Sequence, residues 1–239
     1  MSSNASILRI VLSRFAGSFA RFAVVALAPL ALIGCASVKD TSHSFKTVVI
    51  DAGHGGHDNG TRSRWAGSEK DLALDVARRV ETKLRQRGVK TVMTRSSDYF
   101  VELNDRAAIS NRQHNAIFVS IHFNDAGRKR YINGTEVYYR SPMSRELAGR
   151  ILQQIQWHCR SKANGVKTAN FRVLKRNIYP AVLVECGYLS NPTEAARCVS
   201  PKYREKLATA IVDGIVEQKL GPRQIAALSN PQQEIQPAR

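Results

Sequence analysis

The sequence predicts a single α/β domain whose sheet is largely parallel. Short β-branched runs recur through residues 46–219, and amphipathic stretches of helical period lie between them. The chain has no internal repeat and no sign of a second domain.

In chain order, Thr47–Ile50 is the first expected strand. Ser68–Gln86 follows as a helix, with Ser68 placed to cap it, Asp71 at its third position and Leu72, Val76, Val80 and Leu84 along one stripe. Gly88 ends that helix. Thr91–Thr94 is the second strand and Asn104–Asn111 a shorter helix. Ile117–Ile121 and Glu136–Tyr139 are strands, and Ser144–Arg160 is a helix with Leu147, Ile151 and Ile155 on one side. Ala181–Glu185 is the last expected strand, and Pro201–Gln218 closes the domain with Leu207, Ile211 and Ile215 facing inward. Beyond it, residues 220–239 are rich in Gln and Pro with few apolar anchors, as in a disordered tail.

The first 34 residues read as an export signal. Arg9, Arg14 and Arg21 precede FAVVALAPLALIG, a run too short for a comfortable membrane span and interrupted by Pro29. Its end, Leu32-Ile33-Gly34-Cys35, resembles the lipobox of bacterial lipoproteins. That resemblance implies cleavage before Cys35 and acylation of the cysteine; residues 35–45 read as a short polar tether. Multiple acyl chains hold a protein on a membrane surface without a spanning helix. Ala36, rather than Asp, after the cysteine favours an outer membrane in a cell that has one. The expected location is therefore the cell envelope, on the periplasmic side of such a membrane.

Cys159, Cys186 and Cys198 remain, an odd number that permits at most one internal disulfide; buried thiols are the expectation. Of the 36 Lys and Arg, three precede Cys35, leaving 33 against 19 acids, a formal excess of 14. Such a charge favours anionic partners. Nucleic acid is not expected, because an exported chain seldom meets it and no recognised nucleic-acid motif is present. Anionic wall polymer or a lipid head-group surface fits better, with the Arg128-Lys129-Arg130 run read as a solvated loop and the protein as a monomer.

Four polar positions carry the chemistry. His54 follows the first strand, His122 ends the Ile117–Ile121 strand, and Glu69 opens the first helix. Two imidazoles and a carboxylate form a catalytic type of zinc set, which leaves a coordination position open. Strand ends are where sites of α/β folds gather. The fourth residue, Glu185, follows Ala-Val-Leu-Val, and a carboxylate there is costly to bury unless it is paired or linked to a metal. Each has an ordinary rival. DAGHGGHDNG could be a phosphate loop, but it lacks the GKS or GKT ending. His57 could replace His54 as ligand, Glu69 could simply stabilise a helix dipole, and His122 could be a satisfied core histidine. His43, His114 and His158 read as surface or structural.

The stretches Val48–Gly60, Ser68–Asp71, Leu103–Arg106, Ser120–Asn124 and Pro180–Asn191 together resemble the zinc-dependent N-acetylmuramoyl-L-alanine amidases of the Amidase_3 group, over about residues 46–219. The resemblance implies a mixed, about six-stranded sheet flanked by helices, Zn2+ held by His54, Glu69 and His122, and Glu185 as catalytic carboxylate. It implies peptidoglycan as substrate, cut between the lactyl group of N-acetylmuramic acid and L-alanine. Phe123 is bulkier than the residue usual after the second histidine, and Cys186 replaces a commoner small or hydroxyl residue; both are expected to shape the groove. Some relatives carry a long inhibitory insertion between the segments matching Glu136–Tyr139 and Phe171–Lys175. Here that interval holds one helix and a turn containing Gly165, so the groove is expected to be open. The rival functions are a zinc hydrolase of another cell-wall amide bond and a non-catalytic wall-binding lipoprotein.

Overall fold

Strand alternation divides the apolar side chains of the sheet into two sets. Val48, Ile50, Ile117, Val119, Ile121, Val182 and Val184 join one core cluster, whereas Val49, Phe118, Ala181 and Leu183 join another. The central strands are thus buried on both faces, which explains their nearly unbroken apolar character. The computed structural model describes residues 39–229. The export segment 1–34, Cys35, the start of the tether and residues 230–239 lie outside the described residues.

Six strands form the main sheet: β1 (Thr47–Ala52), β4 (Lys90–Met93), β5 (Ala116–Asn124), β6 (Thr135–Tyr139), β7 (Ala163–Thr168) and β8 (Ala181–Tyr188), in the order β4-β1-β5-β8-β6-β7. The first four in that order run parallel, β6 is antiparallel to β8, and β7 is parallel to β6. A small hairpin, β2 (Arg62–Ser63) with β3 (Gly67–Ser68), leads into helix α1 (Glu69–Gln86). Helices α1, α3 (Arg145–Cys159) and α6 (Pro201–Ser229) cover the face of Ile50 and Val119. Helices α2 (Leu103–Asn111) and α4 (Arg172–Lys175) cover the opposite face, and α5 (Pro192–Val199) follows β8. The predicted single α/β domain with a mixed, mostly parallel sheet is the observed one.

The differences are local. Ser68 has the extended backbone of a cap, but its side chain caps nothing; its hydroxyl faces Asn59 at 3.5 Å. Gly165 lies in the edge strand β7, a strand that ANGVKT hardly announces because it holds one apolar residue besides its alanine. Helix α5, only eight residues long, is an element beyond those expected from sequence; Asn191 accepts from the Glu194 amide and Pro192 occupies its first turn. Residues 39–45, expected as tether, lie against the domain: Phe45 is buried and the Lys39 amide donates to the Ile178 carbonyl. The last helix breaks at Gly221, where the disordered tail is predicted to begin, and helical backbone then continues to Ser229. Cys159, Cys186 and Cys198 are buried free thiols. Among the described residues no helix is long and apolar enough to cross a membrane.

Parallel strands direct their carboxyl ends to one edge, and the loop after β1 is fastened there by a buried arginine. Arg95 donates to the carbonyls of Ala52, Gly53 and Lys70. Arg106 pairs with the fully buried Asp51 at 2.9 Å and also reaches the carbonyls of Ala52 and His54. Burial disfavours the Asp51 carboxylate, but Arg106, Ser120 and Thr94 outweigh this and hold its pKa below the ordinary value. Removing one partner of a buried pair leaves the other uncompensated. Arg106→Leu is therefore expected to destabilise the domain by about 3–5 kcal/mol, measured by urea unfolding.

Candidate metal centre

Register brings two of the four residues side by side. His122 on β5 lies opposite Glu185 on β8, and Ala52, two residues before His54, lies opposite Ile121. The parity of the strands turns His122 and Glu185 to the face of α2 and α4. Glu69 arrives from the first turn of α1, where its amide is bonded to the Thr61 carbonyl. A helix amino terminus favours a carboxylate.

One carboxylate oxygen is the meeting point. Glu69 Oε1 stands 3.0 Å from His54 Nε2 and 3.0 Å from His122 Nδ1. The two rings lie edge to face, with centroids 4.8 Å apart. The Phe123 amide donates to the same Glu69 oxygen, and the Thr61 amide to the other. One donor atom each from His54, Glu69 and His122 lies within 4.8 Å of the others. His54 holds its place with a left-handed backbone, φ 60°, and its Nδ1 bonds Asp58 at 2.8 Å, which leaves Nε2 for the centre. Two glycines make room. A Cβ on Gly53 would collide with the His122 ring, and one on Gly60, whose φ is 61°, would collide with Glu69 and His54.

The electrostatics suit a cation. Burial opposes charge on Glu69, yet hydrogen bonds from His122 and His54 hold its carboxyl far below the usual range. Burial likewise disfavours a charged His54, but Glu69 and Asp58 prevail and raise its pKa. A field that favours a proton at His54 also favours a divalent ion. The donor set fits zinc: two imidazole nitrogens and a carboxylate oxygen, one imidazole backed by a second carboxylate.

Glu185 is not among the three converging donors. Its Oε2 is buried without a hydrogen-bond partner among the described residues. Burial is the main cause that pushes its pKa up to about 7, with His122 opposing. Such a carboxyl takes up and releases a proton near neutrality. All four residues line a cleft of about 370 Å³, walled by the part-exposed side chains of Leu103 and Phe171.

Three expectations from sequence bear on this geometry. His57 packs its ring on Phe100, centroids 4.2 Å apart, away from the three donors. Phe123 lines the cleft, but Cys186 is wholly buried on the other face of the sheet and does not shape it. No residue between Tyr139 and Phe171 lines the cleft, which α3 and β7 leave uncovered. Asp58, Arg95 and Arg106 carry roles that sequence reading left unassigned. For Asp58 a signal existed, since a carboxylate four residues from a ligating histidine in a tight glycine loop can return to its ring.

Three comparisons with known proteins agree on a family. The family model Amidase_3, described as N-acetylmuramoyl-L-alanine amidase, matches residues 48–217. The N-acetylmuramoyl-L-alanine amidase LytC of Bacillus subtilis is 37% identical over 175 residues, 72% of this chain and 35% of that protein. YqiI of the same organism, an uncharacterised protein, is 37% identical over 190 residues, covering 78% of this chain and 90% of its own. Among solved structures, an N-acetylmuramoyl-L-alanine amidase from Clostridium difficile 630 superposes with a TM-score of 0.70 at 36% identity. It covers 72% of this chain and 96% of that one.

Proposed function

The chain belongs to the Amidase_3 family of N-acetylmuramoyl-L-alanine amidases, and on that premise we propose a zinc-dependent hydrolase of peptidoglycan. The bond cut is the amide between the lactyl group of N-acetylmuramic acid and L-alanine. The observation that carries this reading is the convergence of His54, Glu69 and His122 beside the buried, unpartnered Glu185.

Bound by those three residues, zinc supplies Lewis acidity, which acidifies water and polarises an amide carbonyl. The chain's own groups do the rest. Glu185 takes a proton from the attacking water and returns it to the departing alanine nitrogen. Asp58 fixes the His54 tautomer, with the proton on Nδ1 and the lone pair on Nε2. Glu69 is held by two backbone amides and cannot swing away. Water is the nucleophile, so no acyl-enzyme forms and the three buried thiols take no part.

Asp58→Ala is expected to weaken zinc binding about 10–100-fold, by the measure of other residues that orient metal ligands; competition with a chelator reads this directly. Among the described residues nothing between Tyr139 and Phe171 lines the cleft, so cleavage without an activator is expected, with control coming from tethering, location or expression. Acylated Cys35 would hold it at a membrane surface in the envelope. Mass spectrometry of digested sacculi tests the bond: intact stem peptides with a free L-alanine amine are expected. Shortened stem peptides or deacetylated sugars would instead indicate the other cell-wall amide hydrolases.

A further inference from the structure

We propose that Arg172 forms a carboxylate subsite at the lip of the cleft, selecting peptides that bear a free carboxylate near the scissile amide. This rests on the amidase reading above and names a feature of the substrate that the metal centre does not.

Two arginines line the cleft, Arg106 and Arg172, against five carboxylates. Arg106 is spent: 2% exposed, it pairs with Asp51 and donates to the carbonyls of Val101, Ala52 and His54. Among the described residues Arg172 has no ion-pair partner. It opens α4 with an exposed side chain, and the one side-chain hydrogen bond it makes there is a long donation, 3.4 Å, to the neutral Asn104 Oδ1. Lys70 and Lys167, by contrast, are paired, with Asp98 and Glu136. A guanidinium has five N–H donors, so Arg172 keeps most of its fork available.

Its setting suits a ligand carboxylate. Leu103, at the start of α2, and Phe171, just before α4, line the same cleft and are 48% and 41% exposed. Apolar neighbours exclude water and strengthen a charge pair. The planar fork matches a carboxylate with two parallel bonds, which Lys cannot reproduce. The long contact with Asn104 links α4 to the start of α2, and Arg172 lines the same cleft as the three donors. Within the cleft Asp51 is paired with Arg106, and Glu69 and Asp58 are engaged with the histidines of the metal centre, which leaves Arg172 as the lining cation without a carboxylate partner among the described residues.

The test uses two peptides, N-acetylmuramoyl-L-alanyl-D-glutamate and its diamide, in which both glutamate carboxylates are replaced by carboxamides. Calorimetric titration into the full chain carrying Glu185→Gln, which suppresses turnover, reads binding alone. The carboxylate peptide is expected to bind about five- to tenfold more tightly, as a partly exposed charge-assisted pair does. Arg172→Ala in the same background removes the difference, Arg172→Lys keeps part of it, and Arg172→Glu inverts it. Equal binding of the two peptides, binding of neither, or a preference that survives Arg172→Ala overturns the proposal. Hydrolysis of the peptides by the unaltered chain is scored separately. A binding preference without cleavage sinks the amidase reading and leaves the subsite standing.

Discussion

Glu185→Gln is expected to lower kcat by about 10²–10⁴-fold, the range for a positioned general acid or base, while zinc stays bound. Glutamine keeps the shape of the side chain in its buried place on β8 and removes only the capacity to accept a proton. The metal should survive because Glu185 is not one of the three converging donors. Protein zinc content measured beside turnover separates the roles; a variant that keeps its turnover would refute this one. The pH profile adds a sign. Glu185 must be ionised to accept a proton, and burial raises its pKa to about 7. Activity should therefore rise with pH along an acid limb. A cation held nearby favours the charged form, so the midpoint of that limb should lie no higher than about 7.

His54→Ala should abolish both metal content and activity. The change deletes Nε2, which faces Glu69 Oε1 at 3.0 Å, and leaves Asp58 without the ring it orients. Its natural control is His57→Ala, three residues along the same loop. That ring lies on Phe100 outside the donor cluster, so zinc and turnover should stay near those of the unaltered chain. Metal analysis of both variants decides the matter; a zinc-free His57→Ala beside a zinc-loaded His54→Ala would reverse the assignment.

How much the sequence reveals depends on the length and burial of each segment. β1, β5 and β8 are legible because burial on both faces demands continuous apolar residues, and α1 because its stripe of Leu72, Val76, Val80 and Leu84 spans almost its whole length. β7 is hidden because it pairs on one side only and lies partly in solvent. Site residues at strand ends are readable for the same topological reason. The residues that hold them are not: Arg95 and Arg106 act on backbone carbonyls about 40 to 55 positions away, and nothing local encodes such a contact. Arg172 resembles any surface arginine until the fold sets it on the lip of the cleft.

The most direct measurement of the central claim is anomalous scattering at the zinc edge from crystals of the purified protein. A single peak bonded to His54 Nε2, Glu69 Oε1 and His122 Nδ1, with Glu185 close by but not a ligand, is the predicted result. No peak at that position, or a peak that recruits His57 or Glu185 in place of one of the three, would contradict it.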